Sequence, residues 1–213
     1  MKFDSIEDIK KLEYVGNGKY GCVYKLDDIT AIKVYIETGY YDIGEVKIFK
    51  IPNRKFKLLK KKQSKIQNTS LVQEQVFVED EVVGVTLKYV DGDILQDIKP
   101  HLNRRQRKDV CYELIENAEE LTRNGIYPMD YKLTNVMYSK KGKVEIIDLD
   151  DPLTHVKRNN HSFLKHGSID ALKYTIKDFL KENEEENMTV ADFELVKKVF
   201  PSYNDLREYV KKR

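Results

Sequence analysis

Asp130 and Asn135 stand five residues apart in Tyr127-Pro128-Met129-Asp130-Tyr131-Lys132-Leu133-Thr134-Asn135, and Asp148 follows thirteen residues later in Ile146-Ile147-Asp148-Leu149-Asp150. Each of these, taken alone, reads as a turn residue. Together they supply a carboxylate able to act as a base, and an amide and a carboxylate able to hold a hard cation such as Mg²⁺. A second group lies upstream. Gly16-Asn17-Gly18-Lys19-Tyr20-Gly21-Cys22-Val23 has the spacing GxGxxGxV, and Ala31-Ile32-Lys33-Val34 follows it. Glycines at this spacing mark any tight hairpin, and a dinucleotide-binding turn would need a helix directly after them. Here a β-rich run follows instead, so the glycines join two antiparallel strands. In such a flap, absent side chains let backbone N–H groups approach phosphates. Lys33 is then placed as the cation for the α- and β-phosphates. A desolvated ammonium needs a carboxylate. Glu45 is the choice, since Glu37 is too close in sequence to swing back and Glu74 lies on a strand; a solvated helix charge remains the plainer reading of Glu45.

The elements that position these groups follow from periodicity. Residues 12–15, 22–26 and 30–35 read as strands, with Asp27-Asp28 as a turn. The spacing of Glu45, Ile48 and Phe49 predicts a helix over 42–51, closed by Pro52. Residues 71–78 and 82–89 predict two more strands around Glu79-Asp80-Glu81. A boundary is placed at Asp91-Gly92, giving residues 1–90 and 91–213. The second part opens with a helix capped by Asn103, carrying Val110, Leu114, Ala118 and Leu121 on one face and stopping at Asn124-Gly125. A hairpin of 136–138 with 144–147 follows. Helices are then expected over 169–180 and 190–199 and after Pro201, with 181–186 a solvated helix end. Strands first and helices later predict an α+β fold of two lobes, with a ligand cleft between them.

The 213 residues suffice for two small lobes. Charged residues reach 35%, against about 25% in a typical chain, and 38 basic against 36 acidic side chains leave +2. A charge so balanced does not favour a nucleic-acid partner, and only local patches could. Cys22 and Cys111 show no metal or disulfide spacing, which points to a reducing, cytoplasmic setting. The start, Met1-Lys2-Phe3-Asp4-Ser5, has no apolar run and predicts no secretory signal. No apolar stretch approaches the ~20 residues of a membrane span. Arg54, Lys55, Lys57, Lys60, Lys61, Lys62 and Lys65 cluster around Phe56, Leu58 and Leu59. They form either a site for an acidic partner, a membrane surface or nucleic acid, or the solvated face of an amphipathic helix, and the second is preferred. The four histidines form no metal-ligand pattern.

In combination and order, Gly16–Val23, Ala31–Val34, Asp130–Asn135 and Ile146–Asp148 resemble the motifs of the eukaryotic-type protein kinases over residues 10–155. The resemblance implies a β-rich N-lobe with a glycine-rich flap and a truncated helical C-lobe. It implies an ATP- and Mg²⁺-dependent serine/threonine protein kinase, with Asp130 as base, Asn135 and Asp148 on Mg²⁺, Lys33 on the phosphates and Glu45 orienting it. An adenine pocket of Val23, Ala31 and Met137, with backbone contacts at Lys88 and Val90, is implied too, with Tyr20 shielding the phosphates. Lys132, two residues after the base, is similar to serine/threonine kinases; aminoglycoside- and choline-type small-molecule kinases, the first alternative, usually lack it. The second alternative is a pseudokinase, a nucleotide-binding interaction module. Pro128-Met129 stands where the family has His-Arg, so regulation through a phosphorylated activation loop loses its arginine. Asp150 replaces the glycine after the metal-binding aspartate, and no APE-like motif follows. Asp170, opening a helix at 171–180, is read as a remnant of a central C-lobe helix. The chain therefore resembles compact bacterial or viral kinases, secreted effectors among them.

Overall fold

Alternating apolar residues build the first strands, because successive side chains of a strand face opposite ways. The computed structural model of the chain describes residues 1–35, 37–39, 46–48, 50–181 and 187–213. It divides into two units, Met1–Gln63 with Ser70–Asp91, and Ser64–Thr69 with Gly92–Arg213.

The first unit contains β1 (Lys2–Phe3), α1 (Ile6–Lys10), β2 (Glu13–Gly18), β3 (Gly21–Lys25), β4 (Thr30–Tyr35), β5 (Glu37–Gly39), β6 (Val46–Ile48), α2 (Asn53–Lys62), β7 (Val72–Val78) and β8 (Glu81–Lys88). Among the described residues one sheet of six strands runs β1-β7-β8-β4-β3-β2, antiparallel except for β1 beside β7. On one face Tyr24, Ile32, Val34 and Val76 pack with Ile9 of α1, all buried. The β7–β8 hairpin turns through Glu79 and Asp80, whose φ values of 50° and 74° suit a tight two-residue turn.

The expected helix over 42–51 is corrected here. Residues 46–48 are a strand, β6, paired antiparallel with 37–39, and the helix begins after Pro52 instead of ending there. Glu45 lies outside the described residues. α2 buries Phe56 and Leu59 and leaves Arg54, Lys57, Lys60 and Lys61 exposed, so the basic cluster is the solvated face of an amphipathic helix.

The second unit contains β9 (Gly92–Ile94), α3 (Leu95–Ile98), α4 (Arg104–Arg123), β10 (Ile126–Tyr127), β11 (Val136–Ser139), β12 (Val144–Ile146), β13 (His155–Val156), α5 (Ser162–Leu180), α6 (Val190–Lys197) and α7 (Tyr203–Lys212). α4 starts in a capping box, where Asn103 Oδ1 accepts from Gln106 N (3.0 Å) and Gln106 Oε1 from Asn103 N (2.9 Å). It ends at Asn124, with Gly125 at φ 73°. Leu114, Ile115, Ala118 and Leu121 are fully buried along it, beside α5 and α7. Each such leucine or isoleucine contributes ~1.5–3 kcal/mol of apolar burial. Buried Asn117 donates to Val144 O (2.7 Å) and so ties β12 to α4. β11 lies between β12 and β9 in a small sheet. α5 begins at Ser162, so Asp170 sits inside it and does not open it; there it pairs with buried Lys173 (2.6 Å). Residues 182–186 of the expected solvated helix end lie outside the described residues.

Candidate active site

In the first unit the glycine-spaced segment forms the β2–β3 hairpin. Gly18 pairs with Gly21 across a turn made by Lys19 and Tyr20, where the Lys19 ammonium stands 5.4 Å from the Tyr20 ring centre. Asn17 accepts from Tyr14 OH (2.8 Å). The three glycines differ in cause. A Cβ at Gly21 would lie 2.6 Å from Val34 O, so the neighbouring strand excludes a side chain there. At Gly16 and Gly18 a Cβ would meet nothing within 4 Å, and neither has a positive φ. The fold of this chain does not itself demand glycine at those two positions.

Pairing places Gly16, Val23, Lys33 and Val85 in one row across β2, β3, β4 and β8. Ala31, two residues before Lys33, shares that face. The face is opposite to the one α1 covers, and Lys33 is 5% exposed on it. Lys88 ends β8, its carbonyl accepting from Ser70 Oγ (2.7 Å), and Val90 is buried just after it. α2, the helix that follows β4 and its small hairpin, reads Asn-Arg-Lys-Phe-Lys-Leu-Leu-Lys-Lys-Lys. It has no carboxylate, so no Lys–Glu pair can reach Lys33 from that helix.

In the second unit the loop 128–135 runs from β10 into a short 3₁₀ turn, Leu133–Asn135. Lys132 Nζ lies 2.8 Å from Asp130 Oδ2. Asn135 Nδ2 lies 3.1 Å from Asp130 O and 3.4 Å from Asp130 Oδ2. Both partners are acceptors, which fixes the amide orientation and turns Asn135 Oδ1 away from them. Asn135 immediately precedes β11, and its carbonyl accepts from Ile147 N (3.0 Å). The same strand ends therefore carry Asn135 and Asp148. Asp148 has φ 59°, a left-handed conformation that costs a non-glycine residue ~1–2 kcal/mol. Met137 pairs with Ile94 of β9 and Glu145 of β12.

The structure thus gathers Asp130, Lys132, Asn135 and Asp148 around one end of a hairpin. Among the described residues no three His, Cys, Asp or Glu side chains form a metal-holding cluster. One carboxylate and one amide oxygen nevertheless suit Mg²⁺, which keeps most of its shell for water and phosphate.

What anchors the loop was not legible in sequence. Tyr131, between Asp130 and Lys132, is buried, and its hydroxyl pairs with Ser168 Oγ of α5 (3.2 Å). Burial first, and the nearby Tyr203, push the Tyr131 phenol well above its ordinary pKa, against the opposing effect of the Ser168 hydrogen bond. Thr175, about two turns further along α5, donates to Tyr131 O. Tyr127 is fully buried, and its hydroxyl accepts from His161 N (2.8 Å) at the start of α5. No acidic residue of α5 makes these contacts; Asp170 serves Lys173 instead.

No protein-family model matches the chain. Two curated proteins are similar to it. One is serine/threonine-protein kinase SSN3 of Phaeosphaeria nodorum, 27% identical over an alignment of 161 residues that covers 67% of this chain and 34% of that protein. The other is serine/threonine-protein kinase srb10 of Schizosaccharomyces pombe, 26% identical over 161 residues, covering 66% of this chain and 42% of its own length. The chain spans well under half the length of these relatives. A mixed α+β chain with an ordered Asp130–Lys132–Asn135 loop is therefore similar, at a distance, to serine/threonine protein kinases.

Proposed function

We propose that the chain is an ATP- and Mg²⁺-dependent phosphotransferase acting on serine or threonine hydroxyls of protein. The observation that carries this reading is the hydrogen-bonded Asp130–Lys132–Asn135 group, on the hairpin end that also bears Asp148. In this reading residues 1–90 form the nucleotide-holding lobe and residues 91–213 supply the chemistry. The row of Gly16, Val23 and Lys33, with Ala31 on the same face, would receive ATP, and Lys88 and Val90 would meet the adenine edge; Met137, on the second unit, is the remaining candidate for adenine contact. Open space above Gly16 and Gly18 supports this, because phosphates need backbone N–H groups without side chains. Asn135 and Asp148 would hold Mg²⁺, which would neutralise charge on the phosphates.

The substrate hydroxyl oxygen attacks the γ-phosphorus, its proton passes to a carboxylate oxygen of Asp130, and ADP departs with the electrons of the broken P–O bond. Lys132, beside Asp130, is placed to stabilise charge on the transferring group.

A second reading, a nucleotide-binding module without transfer, is favoured by one observation: Asp150 stands where the protein kinases have the glycine after their metal-binding aspartate. In the first reading Glu45 remains the candidate for ordering Lys33. Mass spectrometry of the protein incubated with Mg²⁺-ATP and a generic protein substrate separates the two. Phosphoserine or phosphothreonine is expected, falling ~10²–10⁴-fold in rate in Asp130→Asn, the usual worth of a positioned base. Nucleotide binding without phosphate on any acceptor decides for the second reading. Phosphate found only on an added small alcohol decides for a small-molecule kinase.

A further inference from the structure

A cavity of about 670 Å³ lies within the second unit, directly beside the loop described above. Lys132, Leu133 and Thr134 form one wall; the opposite walls come from Lys99 after α3, Arg107 of α4, and Asp178 and Lys181 at the end of α5. Its volume falls in the ~300–1,000 Å³ range of small-ligand clefts. Among the described residues its lining holds the cations of Lys99, Arg107, Lys132 and Lys181 against the carboxylate of Asp178. With Lys132 offset by Asp130, those described residues carry an excess of two positive charges.

Two of the cations also have a structural role. Lys99 Nζ donates to Asp178 O (2.7 Å), and Arg107 Nη1 donates to Lys181 O (2.8 Å), so both cover carbonyls at the C-terminal end of α5. That helix end carries a partial negative charge of about half a unit, which reduces the excess without cancelling it. Carbonyls are neutral acceptors, and the lysine and arginine keep further N–H groups for another partner. A basic cavity walled by the residues that flank the base is suited to an anionic acceptor.

We propose that this cavity is the acceptor subsite, and that it selects a peptide bearing acidic side chains within a few residues of the phosphorylated hydroxyl. The proposal rests on the phosphotransferase reading. The cations fix the class of substrate, and Thr134 adds an uncharged hydroxyl to the same lining.

The test uses three serine peptides of equal length, flanked by glutamate, glutamine or lysine, with the intact protein and Mg²⁺-ATP. The expected order of kcat/KM is glutamate above glutamine above lysine, by a factor of about five per engaged charge, the size of an exposed ion pair at ~4 Å. The preference should shrink as salt rises. Lys181→Glu, in the lining but outside the catalytic group, should remove most of it, lowering kcat/KM for the glutamate peptide far more than for the glutamine peptide. Binding of the same peptides without ATP, followed by fluorescence anisotropy, gives a readout independent of catalysis. Equal binding and equal rates for all three overturn the subsite and leave the phosphotransferase reading intact. Tighter binding of the glutamate peptide with no transfer from ATP to any acceptor overturns the phosphotransferase reading and keeps the anionic site.

Discussion

Replacing Thr175 with valine tests whether α5 holds the loop through one hydrogen bond. Thr175 is 8% exposed, and its hydroxyl donates to Tyr131 O; a second acceptor, Ala171 O, lies at 3.4 Å, near the limit of a bond. Valine keeps nearly the same shape and removes the donor. A buried carbonyl stripped of its partner costs ~1–3 kcal/mol. A chain of this size loses ~2–4 °C of Tm per kcal/mol, so a mid-range loss of ~2 kcal/mol corresponds to ~4–8 °C. Thr175→Ser separates bonding from packing, because serine keeps the donor and gives up one methyl, about 0.8 kcal/mol. Calorimetry should therefore rank wild type above Thr175→Ser above Thr175→Val. Phosphorylation rates should follow the same order while the KM for ATP stays put. A valine variant as stable as wild type, or more stable than the serine variant, refutes the anchoring argument.

Two other expectations concern distinct parts of the chain. Gly16→Ala should leave Tm unchanged and weaken ATP binding severalfold, since its Cβ meets only open space, whereas Gly21→Ala, 2.6 Å from Val34 O, should lower Tm by several degrees. Thermal scans with and without nucleotide check the pair, and a Tm loss at Gly16 or none at Gly21 contradicts it. The Asp205 carboxyl is held at about 2 by Lys198 first and by the Ser202 backbone N–H next. A folded pKa below the unfolded value means stability that is present above pH ~4 and lost as pH falls toward 2. After allowance for solvent screening of this part-exposed pair, the contribution is on the order of 1 kcal/mol. Asp205→Asn should cost that amount at pH 7 and only a small fraction of it at pH 2 in denaturant titrations; a difference undiminished at pH 2 refutes the charge argument.

What sequence could and could not show follows the range of the forces involved. α4 was legible at both ends because Asn103, Gln106 and Gly125 act on backbone groups within a few residues of themselves. The Asp130–Asn135 loop was legible for the same reason, its bonds spanning only five residues. The helix over 42–51 failed because three residues at spacings of three and one fit either period, and Pro52 suits the residue before a helix as well as the residue after one. With Ser5, Asn103 and Ser202 as side-chain caps elsewhere, Pro52 starts α2 with no side-chain cap at all. Asp170 lies inside α5 because the helix starts eight residues earlier, at Ser162, capped by His161, whose side chain gives no strong start signal in sequence. The contacts from α5 to the loop are a threonine and a serine, 44 and 37 residues from their partners, and nothing local announces them.

Tyr131 lies between two residues whose side chains emerge toward solvent, Asp130 at 20% and Lys132 at 67% exposure. The loop thus divides its work by position. Residue 131 belongs to the core and is held by α5; 132 belongs to the surface and pairs with half-buried 130. An exchange at 132 can alter the chemistry without disturbing a packed neighbour, while any exchange at 131 disturbs the helix beneath. Substitutions that retune the reaction and substitutions that unfold the unit therefore fall on different residues of the same short segment. Such a segment can drift in activity, even to none, while the unit around it keeps its shape.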